Sequence, residues 1–186
     1  MRNAVRLICH ALKVSRYSCL IALRLKLPLK EVLKVMIAGA LHDVGKFKLK
    51  SNVLFKADEL TSKEFDYLKG HAELGASQLM KFWLSGSICE MVLQHHENAD
   101  GTGYPYGISI NDISQGARII RVADVYSALT VDRVYHDKIS GREAISLMLD
   151  EADCYDFEIL HALIEISRKR HGSLRLSNKR EVSDKI

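Results

Sequence analysis

The chain has 186 residues, 47% of them apolar, enough for one sizeable core, so one domain is the default. Its formal charge of +4 is uneven: residues 168–186 carry seven Lys or Arg against Glu181 and Asp184, a local +5 that leaves the rest at −1. A body of that charge gives no support for duplex nucleic-acid binding, and the basic end reads as a solvated, flexible tail. Only two prolines, Pro28 and Pro105, interrupt a sequence rich in Leu, Ile, Ala, Lys and Glu, which argues for an all-α protein. Cys9, Cys19, Cys89 and Cys154 form no CxxC pair and read as reduced residues of a cytoplasmic protein. The apolar stretch 17–23 is far too short to span a bilayer, and no small-residue cleavage pattern follows it.

In chain order, the spacing of His10, Val14, Tyr17, Ile21 and Leu25 predicts a helix over 4–27. A helix opening so near Met1 is the expectation for a piece of a longer architecture, with a partner module upstream. Pro28 heads a second helix over 29–43, where its missing N–H costs little, and that helix delivers His42 and Asp43 at its C-terminal end. Gly45 is read as the helix stop and 47–56 as a loop with a short turn. Thr61, with Glu64 three residues on, forms a capping box for one helix running to about residue 82 and carrying His71. A helix over 87–98 brings His95 and His96. The loop 99–111 holds three glycines and Pro105, and a helix over 113–130 surrounds Asp124 with Ile119, Ile120, Val122, Ala123 and Val125. Helices over 142–153 and 156–169 complete the bundle. The domain is placed at 1–170 and the basic tail at 171–186.

The stretch 94–107, QHHENADGTGYPYG, concentrates the chemistry. Adjacent imidazoles beside a carboxylate suit a divalent transition metal, but one site needs more ligands than this stretch holds. One histidine on a helix is unremarkable, because imidazole readily satisfies itself with a backbone carbonyl. His10, His42, His71, His95 and His96 instead fall on or at the ends of separate helices, with Asp43 and Asp124 on apolar faces. An unpaired buried carboxylate is costly, and a bound metal is one of the few things that relieves it.

His42-Asp43-Val44-Gly45-Lys46, then His71, His95-His96-Glu97, Asp100-Gly101-Thr102-Gly103-Tyr104-Pro105 and Asp124 together resemble the HD-GYP phosphodiesterases, over about residues 4–165. The HDxGK element alone would indicate only the broader HD superfamily; the HHExxDGxGYP run narrows it to one branch. The resemblance implies a compact HD-type helical bundle with a metal centre in its core, and hydrolysis of cyclic di-GMP to linear pGpG, with further cleavage to GMP left open. It implies His10, His42, Asp43, His71, His95, His96 and Asp124 as metal ligands. In that scheme Asp43 bridges two metals, His42 and Asp124 complete one, and His71, His95 and His96 the other. His10 falls nearest the first metal or its water shell. The cofactor reading is two divalent ions, iron or manganese before zinc. Two such cations can activate a bridging hydroxide for attack on phosphorus and clamp the phosphate.

Lys46 would hold a non-bridging phosphoryl oxygen, beside Asp43 in the catalytic set. Gly103, Tyr104 and Pro105 would border the substrate, and Arg133 and His136 would contact it, His136 with a weaker grip because imidazole is largely neutral near pH 7. Three-metal members of the family carry a glutamate one turn before the first histidine and an aspartate three residues after the metal aspartate. Arg6 and Ser127 stand at those positions here, which predicts a two-metal centre. Arg6, Ser127 and His136 also motivate an alternative reading, a weak or inactive module that senses a cyclic dinucleotide or docks another protein. Neither the upstream module nor the oligomeric state is legible in the sequence.

Overall fold

A computed structural model describes residues 2–54, 56, 58–130 and 139–180. Among them every regular element is a helix: α1 (Arg2–Arg24), α2 (Leu29–Leu41), a 3-10 turn (Val44–Lys48), α3 (Ser51–Leu54), α4 (Ser62–Lys69), α5 (His71–Lys81), α6 (Gly86–Gln94), α7 (Gln115–Leu129), α8 (Gly141–Asp150), a second 3-10 turn (Ala152–Cys154) and α9 (Phe157–Arg180). The first helix closes without a glycine. Lys26 takes the left-handed conformation (φ 59°), and Leu27 N–H reaches back to the Ala22 carbonyl at 3.1 Å, which satisfies the last turn. Pro28 caps α2, and the expected capping box of Thr61 and Glu64 is present, as is a second one at Ser140 and Glu143.

Helix α7 is central and packs on α1, α2, α6, α8 and α9. Val14 and Ile21 from α1, Val32 and Val35 from α2, and Ile119, Ile120 and Val122 from α7 are almost wholly buried. Met148 from α8 joins Ile159, Leu160 and Leu163 from α9 to close the same core. Arg118 of α7 ties the base of α9 through Asp156 at 2.6 Å. The core therefore lies around the one helix that carries Asp124.

Two expectations about helix ends before residue 82 are corrected. The helix expected over 62–82 is two helices that break at Gly70, because the Leu68 carbonyl is taken by the His71 ring (Nδ1, 2.7 Å). Gly45 is not a helix stop, since α2 ends at Leu41; it lies in the 3-10 turn where that turn crosses the start of α5. A Cβ at Gly45 would run into the His71 carbonyl oxygen and come within 2.6 Å of Gly75 N. Both obstacles are backbone of α5, which cannot step aside as a side chain can, so Gly45→Ala should destabilise the fold by about 3 kcal/mol, read as a drop in the denaturant midpoint. An unchanged midpoint would remove this close approach as the reason for the glycine.

Candidate metal centre

His10 comes from α1, His42 and Asp43 from the end of α2, His71 from the start of α5, His95 and His96 from just beyond α6, and Asp124 from α7. They converge into two interlocking groups. Asp43, His71, His95 and His96 can each offer an atom within 4.8 Å of the others, and so can His10, His42 and Asp43. Asp43 belongs to both. Its Oδ1 lies 3.4 Å from His71 Nε2, and its Oδ2 lies 3.3 Å from His42 Nε2 and 2.7 Å from Lys46 Nζ. Asp124 Oδ1 is 2.9 Å from His10 Nε2 and 3.8 Å from His42 Nε2.

Three rings are aimed by one device. His42, His71 and His95 each donate Nδ1–H to the carbonyl three residues earlier, at Gly39 (2.8 Å), Leu68 (2.7 Å) and Val92 (2.6 Å). A carbonyl can only accept, so the proton sits on Nδ1 and Nε2 is turned into the cluster with a free lone pair when the ring is neutral. The same bond ends the preceding helix, which is why α6 stops at Gln94 instead of running on to residue 98. His10 is served by Ser127, whose buried hydroxyl lies 3.4 Å from its Nδ1 and can either donate or accept. Ser127, at the position where the resemblance would place a carboxylate, thus stands beside the His10 ring.

The charges follow from burial and neighbours. Burial pushes His95 down to about 3, reinforced by repulsion from His42 and His71, and depresses His96 and His71 as well. Those three rings are neutral at pH 7, as ligands must be. His42 goes the other way: burial opposes its charge, but the Asp43 carboxylate, helped by Asp124, outweighs burial and raises it to about 9. Against the cost of burial, His42 and Lys46 hold Asp43 well below the ordinary carboxylate range, and His10 and His42 do the same for Asp124.

The donor set fits a divalent metal on its own geometry. His42 Nε2 and Asp43 Oδ1 are buried without a well-aligned hydrogen-bond partner, an arrangement that protein groups alone leave costly. A cation bound by neutral imidazoles and carboxylates would satisfy both. Lys46 reaches the same carboxylate from the half-buried side of the site.

The loop beyond α6 forms a wall against this cluster. Gly103 lies where a Cβ would come within 2.5 Å of Glu97 Cα and the His96 carbonyl, and Tyr104 N–H donates to that carbonyl at 3.1 Å. Tyr104 stacks on His96 with centroids 4.6 Å apart, and the Tyr104–Pro105 peptide is cis. Glu97, the carboxylate that the sequence sets beside the paired histidines, turns away from the metal cluster: it is 1% exposed and accepts from the backbone N–H of Tyr106 (2.7 Å) and Ile108 (3.2 Å). Asn98 joins the loop to α7 through Arg121 at 2.9 Å. Gly103→Ala should displace this wall and cut metal affinity about tenfold, read by metal titration, while circular dichroism keeps its helical signal. Wild-type affinity would sink that expectation. Arg133 and His136 lie outside the described residues, and Arg6 is exposed on α1 one turn before His10.

Five imidazoles and two carboxylates gathered at the buried centre of a helical bundle define a metal-binding helical domain. The family model described as HD domain matches residues 2–159. The chain is 35% identical over 157 residues to a cyclic di-GMP phosphodiesterase of Pseudomonas aeruginosa, covering 84% of this chain and 38% of the relative. It is 29% identical to a 3'3'-cGAMP-specific phosphodiesterase of Vibrio cholerae, covering 86% of this chain and 38% of that one. Among solved structures, Bd1817, an HDG"Y"P protein of Bdellovibrio bacteriovorus, superposes with a TM-score of 0.72 at 22% identity, over 87% of this chain and 52% of that one. This chain belongs to the HD domain family, in its HD-GYP branch. It spans 38% of the length of each of these two relatives.

Proposed function

We propose that this chain is the catalytic domain of a metal-dependent phosphodiesterase that hydrolyses cyclic di-GMP to linear pGpG. The observation that carries the reading is Asp43, whose two oxygens face different sets of imidazoles and so suit a bridge between two divalent ions. When bound, such ions supply a nucleophile at neutral pH and neutralise charge on the phosphoryl group. The chain's own residues do the rest. His71, His95 and His96 stay neutral and present lone pairs, while His42 must give up its proton to join them. Lys46 has one N–H on Asp43 and two more to give to a non-bridging phosphoryl oxygen. Tyr104 and the loop around it border the substrate, and Arg133 and His136 contact it.

We assign two metals, iron or manganese. Arg6 and Ser127 remove the two carboxylates that a third cation would need, and the Ser127 hydroxyl is committed to His10. A fully occupied third metal in anomalous diffraction would overturn that count. The domain occupies 1–170, with the basic stretch 171–186 beyond it, and works beside a sensor or regulatory module, in keeping with relatives more than twice its length. No described helix is long and apolar enough to cross a membrane, and the four cysteines are unpaired, which fits a reducing cytoplasm.

The test is turnover of cyclic di-GMP by protein reconstituted with iron or manganese under reducing, oxygen-free conditions, with products separated by chromatography. Linear pGpG is expected, and continued incubation reads out any further cut to GMP. Retained binding without product would move the chain to the sensor reading. Faster cleavage of 3'3'-cGAMP would reassign the substrate within the same chemistry, a reading favoured by the likeness to the Vibrio enzyme.

A further inference from the structure

Of the five imidazoles in the cluster, four have a partner on Nδ1: the Gly39, Leu68 and Val92 carbonyls for His42, His71 and His95, and the Ser127 hydroxyl for His10. His96 has none. Its ring instead meets three others, His95 at 4.0 Å and tilted by 41°, His71 at 5.0 Å and edge-on, and Tyr104 at 4.6 Å and stacked within 28°. Nothing on the His96 ring itself therefore decides which way it turns; its neighbours do. Tyr104 is in turn fixed from three directions. Its N–H is bound to the His96 carbonyl, Gly103 before it is pressed onto the Glu97 backbone, and the segment after Pro105 is tied by Tyr106 and Ile108 to the buried Glu97 carboxylate.

We propose that Tyr104, held by the Glu97 clamp, is the positioning residue for His96: its ring face takes the place of the hydrogen bond that aims the other imidazoles. Chemically, what matters is the flat ring and not the phenol, because stacking constrains ring rotation without a donor. This gives the tyrosine a task toward the metal held by Asp43, His71, His95 and His96, separate from any contact with substrate. The inference rests on the two-metal reading of the site.

The test is a manganese titration of metal-free protein followed by electron paramagnetic resonance, which counts sites and gives an affinity for each. Wild type and Tyr104→Phe are expected to bind two ions with affinities within about twofold of one another. Tyr104→Leu, which keeps bulk but loses the ring, is expected to weaken one of the two sites by about 10- to 100-fold and leave the other unchanged, the range for losing a group that orients a ligand. Glu97→Gln, which replaces one acceptor oxygen of the clamp by a donor amide, is expected to weaken the same site less and serves if Tyr104→Leu does not fold. Equal affinities in wild type, Tyr104→Leu and Glu97→Gln would overturn the proposal, as would a loss in Tyr104→Phe equal to that in Tyr104→Leu. Wild type that binds no manganese would instead overturn the metal reading beneath it.

Discussion

Asp43→Asn should empty both halves of the metal centre and lower cyclic di-GMP turnover by about a thousandfold or more. Asp43 is the one residue common to the two ligand groups, so a single substitution reaches both. Asparagine keeps the volume but exchanges an acceptor oxygen for an amide that donates. One of the two oxygen positions would then present N–H groups to the cluster, either to His42 and Lys46 on the Oδ2 side or to His71 on the Oδ1 side. Loss of the metals forfeits several kcal/mol of transition-state stabilisation, which sets the magnitude. His10→Ala touches only the second group and is expected to cost at most one metal per chain. Metal content per folded chain, measured by mass spectrometry beside a circular-dichroism spectrum, separates the two variants. Two metals retained in Asp43→Asn would end the bridging assignment.

The same arrangement explains what could and could not be read from sequence. Helices with an apolar stripe or a capping signal were legible, including the Thr61 and Glu64 box and the Pro28 start. The break at Gly70 was not, because apolar spacing runs on across it and the cause is a ring bonding a backbone carbonyl. The candidate residues were legible as a group for a related reason: His, Asp and their order are side-chain properties, and the fold brings every one of those residues together. What aims them is mostly backbone. The Gly39, Leu68 and Val92 carbonyls leave no residue signature, since any amino acid could supply them. Ser127 read as a missing carboxylate, and only the fold shows its hydroxyl 3.4 Å from the His10 ring. Glu97 was visible within its motif but looked like another acidic residue near a metal, whereas burial turns its oxygens to the loop backbone.

Without metal, the protein should be most stable near pH 6.5 to 7 and lose stability on both sides, for opposite reasons. On the alkaline side the relevant group is His42, raised to about 9 in the folded state against about 6.5 unfolded. Its contribution is fully present below about pH 6.5 and is lost as pH rises through about 9, because the folded protein holds a proton that the unfolded chain has released. On the acid side His95, lowered to about 3, acts with His96 and His71, which are also lowered. Below about pH 6.5 the unfolded chain takes up protons that these buried rings refuse. Stability therefore falls with pH by up to about 1.4 kcal/mol per pH unit for each ring held neutral. Asp43 and Asp124, both depressed, steepen the loss only below about pH 4. Metal reverses the alkaline limb: binding needs neutral His42, so each chain loaded at pH 7 releases that proton and affinity climbs until about pH 9. Denaturant melts from pH 5 to 9.5, in chelator and in saturating manganese, read both effects, with about 2.7 kcal/mol of added stability at a hundredfold excess over the dissociation constant. A metal-free profile that stays flat from pH 5 to 9 would show that the imidazoles are not held in these opposed protonation states, and with that the account of how the site is kept ready for metal would fail.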